Sequence, residues 1–189
     1  MKNKQLGIFA LIGAPFLCID MLAGKYFSFL PGHVFTGVNG LLYISGWLAS
    51  MEILRRIHDT GTRDFSWFII RTTMFTLLIA DISNVWQIVS ATQSTLFFAF
   101  DMGWPVSNVL MLLVGLAVIK RNVISGWQRW IPIAVGCWFP ICTLMGRTDI
   151  AFYVGAAYSA MAWSLFAISM LQNGQDKKDI LPVRAARSH

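Results

Sequence analysis

Asp20, Asp81 and Asp101 lie within or at the edge of long apolar segments. An ionised group in hydrocarbon is costly unless it is paired or hydrated, so each of these carboxylates requires a partner. Asn39, Asn84 and Asn108 fall in the same segments, as do Trp86 and Trp104. Carboxylate and carboxamide oxygens accept hydrogen bonds from an ammonium group, and a tryptophan face attracts a cation. Asp81, Asn84, Asp101, Asn39, Trp86, Trp104 and Asn108 are therefore the expected ligand-binding residues, and the chemistry they suit is recognition of a small cationic or polar solute. Asp81 matters most, because it stands several turns from any basic loop and has no evident counter-ion. Each acid also has a plainer role: Asp20 bonded to Lys25, Asp101 capping a helix, and Asp81 bonded to a neighbouring helix.

The same acids admit a second chemistry. Asp81 and Asp101 would serve as a proton-transferring pair in a membrane-embedded enzyme acting on a lipid or isoprenoid. No nucleophile stands beside them, and no catalytic residue is assigned. Cys18, Cys137 and Cys142 form no CxxC pair and His33, His58 and His189 are scattered, so neither a metal site nor a cofactor is expected. HxxxH, GxSxG and nucleotide-loop patterns are absent. Glu52 and Arg71 lie about equally far from a turn near Gly61. That puts them at similar depth on consecutive helices and predicts a structural ion pair between them.

The elements that must hold these residues follow from composition. Of 189 residues, 56% are hydrophobic and 13% charged, with mean hydropathy +0.60, whereas a soluble domain carries about 25% charged residues. A helix needs about 20 apolar residues to cross the hydrocarbon. Six stretches qualify or come close: 6–24, 33–54, 66–89, 97–119, 130–146 and 150–171. The predicted fold is all-α, a polytopic membrane helical bundle of six transmembrane helices within residues 1–171. The polar tail 172–189, with Gly174 and Pro182, reads as disordered or surface-associated.

Basic residues resist translocation. With the N-terminus inside, Lys2, Lys4, Arg55, Arg56, Arg63, Lys120, Arg121, Arg129, Lys177, Lys178, Arg184 and Arg187 gather on the cytoplasmic side, and Lys25 and Arg147 stand opposite. Both termini are thus predicted to be cytoplasmic in a multi-pass protein of the cell membrane. Trp67, Trp127 and Trp130 flank the basic loops, at headgroup level. The net charge of +6 is explained by this topology and by contact with anionic lipid headgroups, so no nucleic-acid partner is expected.

Helical periodicity then sorts the faces. Thr36, Asn39, Tyr43, Gly46 and Ser50 form a small, polar stripe on the second helix. Thr72, Thr73, Thr76, Ser83, Asn84 and Gln87 share a face of the third, with Asp81 at its margin, and Asp101, Pro105, Asn108 and Gly115 stack on the fourth. Ala156, Ala160 and Ser164 form a seam on the sixth. Pro15, Pro105 and Pro140 are expected to kink their helices. Gly13-x-Pro15 before Met21-Leu22 recurs as Gly103-x-Pro105 before Met111-Leu112, a faint echo of an inverted repeat. The function expected is binding or transport of a small polar or cationic solute in the outer half of the bundle. The alternatives are the lipid enzyme and an accessory subunit that docks on another membrane protein through its small-residue faces.

Overall fold

The computed structural model describes residues 1–27, 32–58 and 63–185, with side chains as far as 175. Helix α1 (Asn3–Gly13) and α2 (Phe16–Tyr26) make one interrupted rod, and α3 (Gly32–His58) and α4 (Phe65–Val89) are continuous. A second interrupted rod comprises α5 (Thr95–Asp101) and α6 (Gly103–Arg121). A 3-10 turn over Gly126–Trp130 leads into α7 (Ile131–Met145), and α8 (Asp149–Ala185) follows. No strand occurs among the described residues.

Five segments are long and apolar enough to cross a membrane: Asn3–Tyr26, Gly32–His58, Phe65–Val89, Thr95–Arg121 and Asp149–Gln175. With 15 residues, α7 falls short of that length, so length and composition define five candidate spans rather than six. Helix α8 passes residue 171 and runs to Ala185, into the segment read as a tail. Residues 186–189 and the turn near Gly61 lie outside the described residues.

Proline explains where the rods break. Pro105 has no N–H to offer the Asp101 carbonyl, and its ring would strike that carbonyl in a continuous helix; the chain accordingly breaks at Met102, between α5 and α6. Pro15 marks the α1–α2 break. Pro140, by contrast, lies inside α7, which continues through it.

Contacts at the two ends of the bundle fix how the rods run. At one end Lys25 Nζ donates to Asp149 Oδ1 at 2.6 Å, and the Tyr26 and Tyr153 hydroxyls are hydrogen-bonded, so α2 finishes where α8 starts. At the other, Asn3 Nδ2 donates to the Gly174 carbonyl at 3.0 Å, and Arg121 pairs with Asp64. Helix α7 therefore returns from the end where α6 finishes to the end where α8 begins.

Two kinds of contact hold the rods laterally. Where α1 crosses α3, a methyl added to Gly46 would lie 2.9 Å from the Gly13 Cα, so the two backbones touch and only glycine fits at the crossing. On the other flank of α3, rings do the spacing. Tyr43 and Trp47 meet Trp163 of α8 at centroid distances of 5.2 and 5.1 Å. Trp138 of α7 bridges Trp163 at 6.1 Å and Trp104 of α6 at 5.3 Å. These rings and the aliphatic side chains around them form the core. Between α2 and the α6–α7 pair the rods stand apart, and cavities open there.

The crossing is testable. Gly46→Leu is expected to destabilise the protein by about 1 to 3 kcal/mol through overpacking against backbone. Gly24→Ala should be near neutral, since nothing lies within 4 Å of the added methyl. Thermal unfolding of both variants in detergent, compared with wild type, checks this; equal melting temperatures would remove the close crossing from the account.

Candidate functional site

A cavity of about 200 Å³ lies between α2, α3, α4 and the α5–α6 break. Leu17 and Asp20 face it from α2, and Thr36, Gly40, Tyr43 and Ile44 from α3. From α4 come Ala80, Asn84 and Gln87, while Asp101 and Trp104 enter from either side of the break at Met102. Tyr43 is eleven residues along α3 from Gly32, so at 1.5 Å per residue the cavity reaches about 16 Å into the bundle. Asp20, Thr36 and Gln87 put one side of the cavity near the end where α2 and α4 finish.

Local structure sets each wall. Asp101 ends α5, because Pro105 prevents the helix from continuing, and its Oδ1 accepts a hydrogen bond from Ser83 Oγ at 3.3 Å. Asp20 accepts from Asn39 Nδ2 at 3.4 Å. Asn84 fills the space that Gly40 leaves on α3, and its Nδ2 donates to Asp81 Oδ1 at 3.3 Å. The other Asp81 oxygen accepts from Ser45 Oγ at 3.2 Å. With its amide nitrogen so engaged, Asn84 keeps its oxygen as an acceptor. Trp104 Nε1 donates to the Tyr43 hydroxyl at 3.3 Å, tying the floor of the cavity to its α6 wall.

Of the residues expected to bind ligand, the structure thus places Asp101, Asn84 and Trp104 in the lining. Asn39 and Asp81 stand one hydrogen bond behind it, holding Asp20 and Asn84 respectively. Asn108 is fully buried one turn beyond Trp104; its Nδ2 donates to the Trp104 carbonyl at 3.1 Å, and its Oδ1 has no partner. Trp86 turns away and donates to the Thr92 carbonyl at 3.2 Å, bracing the loop after α4. Because Asp81 is not in the lining, the proton-transferring pair with Asp101 is not assembled there.

Tyr43, Thr36, Gln87 and Asp20 were not among the expected binding residues. The first three belong to the polar stripes, which was the signal that could have found them. Asp20 lacks the anticipated bond to Lys25, whose ammonium pairs with Asp149 instead. Nor does Asp101 open a helix: Ser94 caps α5 by accepting from the Phe97 N–H at 3.2 Å.

The ion pair expected between Glu52 and Arg71 needs correction. Arg55 Nε and Arg56 Nε reach Glu52 at 2.6 and 2.7 Å, from one turn further along the same helix. The Arg71 guanidinium lies 4.0 Å from the Trp67 ring centroid, four residues earlier on α4. Neighbours at i+3, i+4 or i−4 are held close by the helix itself, and they satisfy both groups before a partner on the facing helix is needed. No group of His, Cys, Asp and Glu that could hold a metal occurs among the described residues.

Comparison of the chain with protein-family models, curated proteins and solved structures gives no match. Its function must be argued from the cavity.

The corrected pairing makes its own prediction. Glu52→Gln should destabilise by removing the carboxylate that Arg55 and Arg56 share, and Arg71→Gln should act independently, with the double variant additive within about 0.5 kcal/mol. A coupling well above that, measured by unfolding the single and double variants, would restore a direct Glu52–Arg71 interaction.

Proposed function

We propose that the chain is a six-span membrane protein with both termini in the cytoplasm, and that its cavity binds a small cationic solute from the outer side, as a receptor or as one step of transport. The sixth span is α7. Its fifteen α-helical residues rise about 22 Å, short of a hydrocarbon core of about 30 Å, a mismatch that local thinning of the bilayer accommodates at modest cost, and α7 carries the chain from the end where α6 finishes to the end where α8 begins. Even passage puts the termini on one side. Lys2, Lys4, Arg55, Arg56, Lys120 and Arg121 lie at that end, against Lys25 and Arg147 at the other, the asymmetry of a positive cytoplasmic face.

One observation carries the ligand: two carboxylates from different helices, Asp20 and Asp101, face the same cavity, and among the described residues no lysine or arginine is in its lining. Thr36, Asn84, Gln87 and Tyr43, each carrying an acceptor oxygen, line the same cavity, as does Trp104. A protonated amine supplies the missing positive charge and several hydrogen-bond donors, with an aromatic face for its apolar side. The size is also restrictive, since sites for drug-sized ligands run to about 300–1,000 Å³. A largely apolar cavity that nonetheless holds two carboxylates supports solute binding over a purely structural, fully packed bundle.

Two measurements test the reading. In a cysteine-free background, a cysteine at Gln93 should react with a membrane-impermeant maleimide in intact cells and one at Ser125 only after permeabilisation; the reverse pattern would invert the topology. Purified protein in nanodiscs should bind butylammonium, with a change in tryptophan fluorescence. Asp101→Asn should weaken that binding about tenfold, worth about 1.4 kcal/mol. Equal affinity in the variant, or no binding to wild type, would refute a cation site at Asp101.

A further inference from the structure

A second cavity, of about 360 Å³, opens at the same end of the bundle, between α2, α7 and the start of α8. Its charged residues are Lys25, Arg147 and Asp149, and its apolar floor includes Met21 and Trp138. The two cavities are neighbours. Asp20 faces the first and Met21, the next residue of α2, faces the second. On the opposite wall Trp104 lines the first, Trp138 lines the second, and the two rings touch at 5.3 Å between centroids.

Their charges are opposite. Among the described residues, the first holds two carboxylates and no cation. The second holds two cations against one carboxylate, and that carboxylate, Asp149, is already paired with Lys25 at 2.6 Å. Lys25 is fixed further by the Phe152 and Tyr153 rings, 4.8 and 4.6 Å from its Nζ. Arg147 has no ion pair among the described residues, and its guanidinium can grip a carboxylate through two parallel N–H groups.

We propose that the two cavities are the two lobes of one site and that the solute is a small zwitterion of the amino-acid type. Its ammonium group lies against Asp20 and Asp101, and its carboxylate lies against Arg147, with Lys25 adding positive field. The hydrocarbon spacer crosses the edge of the Trp104–Trp138 pair, where an apolar segment meets aromatic surface. Each end of the ligand meets the opposite charge in one lobe, and the half-buried Asp20 and Asp101 of the first lobe gain the counter-charge that their apolar surroundings demand. This inference rests on the cation-binding reading above and adds the second group that the solute must carry.

The test compares n-alkylammonium ions with ω-amino acids of the same chain length, from glycine through 4-aminobutanoate to 6-aminohexanoate, on wild-type protein in nanodiscs. At one spacer length the amino acid should bind about tenfold more tightly than its alkylammonium counterpart, the effect of one added charge-assisted contact. Arg147→Gln should bring the two affinities together, and Arg147→Glu should shift the preference to the matching diamine. If amines bind but the carboxylate adds nothing at any length, or if the preference survives Arg147→Gln, the two-lobe site is overturned while the cation site stands. If neither class binds, both readings fail together.

Discussion

Everything else in this structure depends on the asymmetric way α3 is packed. Glycines let helix backbones meet on two opposite faces of α3: Gly46 against Gly13 of α1, and Gly37 against α4, with the Asn84 carbonyl 2.9 Å from where its methyl would be. Between those faces Tyr43 and Trp47 project bulky rings toward α8, and through Trp163 and Trp138 they set the positions of α7 and α6. A bundle drawn tight where α3 meets α1 and α4 and held apart by indoles between them leaves space between α2 and α6. Polar residues of α3 and α4 border that space because lipid offers their oxygens and nitrogens no partner.

Within the space the polar groups support one another in layers. Ser45 and Asp81 hold Asn84, Asn39 holds Asp20, Ser83 holds Asp101, and Tyr43 holds Trp104. A supporting layer fixes the rotamers of the groups that face a ligand, and pre-organised groups lose less entropy on binding. Asp81 belongs to that layer. Its chemistry matters through Asn84, whose oxygen stays available only while its nitrogen is engaged elsewhere.

Much of the fold was legible in the sequence because apolar length is a coarse signal that tertiary contacts seldom override. The third span, read as 66–89, is α4 over Phe65–Val89, and Pro15 and Pro105 mark both interrupted rods. Pro140 did not break α7, although the same rule was applied to it. The site was harder. Periodicity assigns a residue to a face without saying which neighbour stands opposite, so Asp81 and Asn84, about 60° apart round the helix, could not be ranked as support and lining. Trp86 is about 200° from Asn84 by the same geometry, and its exclusion from the cavity was available from spacing alone. Glu52 and Arg71 failed for a related reason: distance from a turn measures depth but not direction, and Arg55 and Arg56 stood closer on the same helix. Asp20 was visible as an acid near Lys25, yet only the fold shows that α8 brings Asp149 to that lysine.

The central proposal is that the cavity lined by Gln87 and Asp101 is open to water and favours cations. The most direct measurement is the reaction rate of a cysteine at Gln87, in a cysteine-free background, with a cationic and an anionic methanethiosulfonate of similar size. The account predicts that the cationic reagent reacts about tenfold faster or more, in line with electrostatic focusing in a charged cleft, and that Asp101→Asn removes most of the difference. No reaction with either reagent, or equal rates that Asp101→Asn does not change, would contradict it.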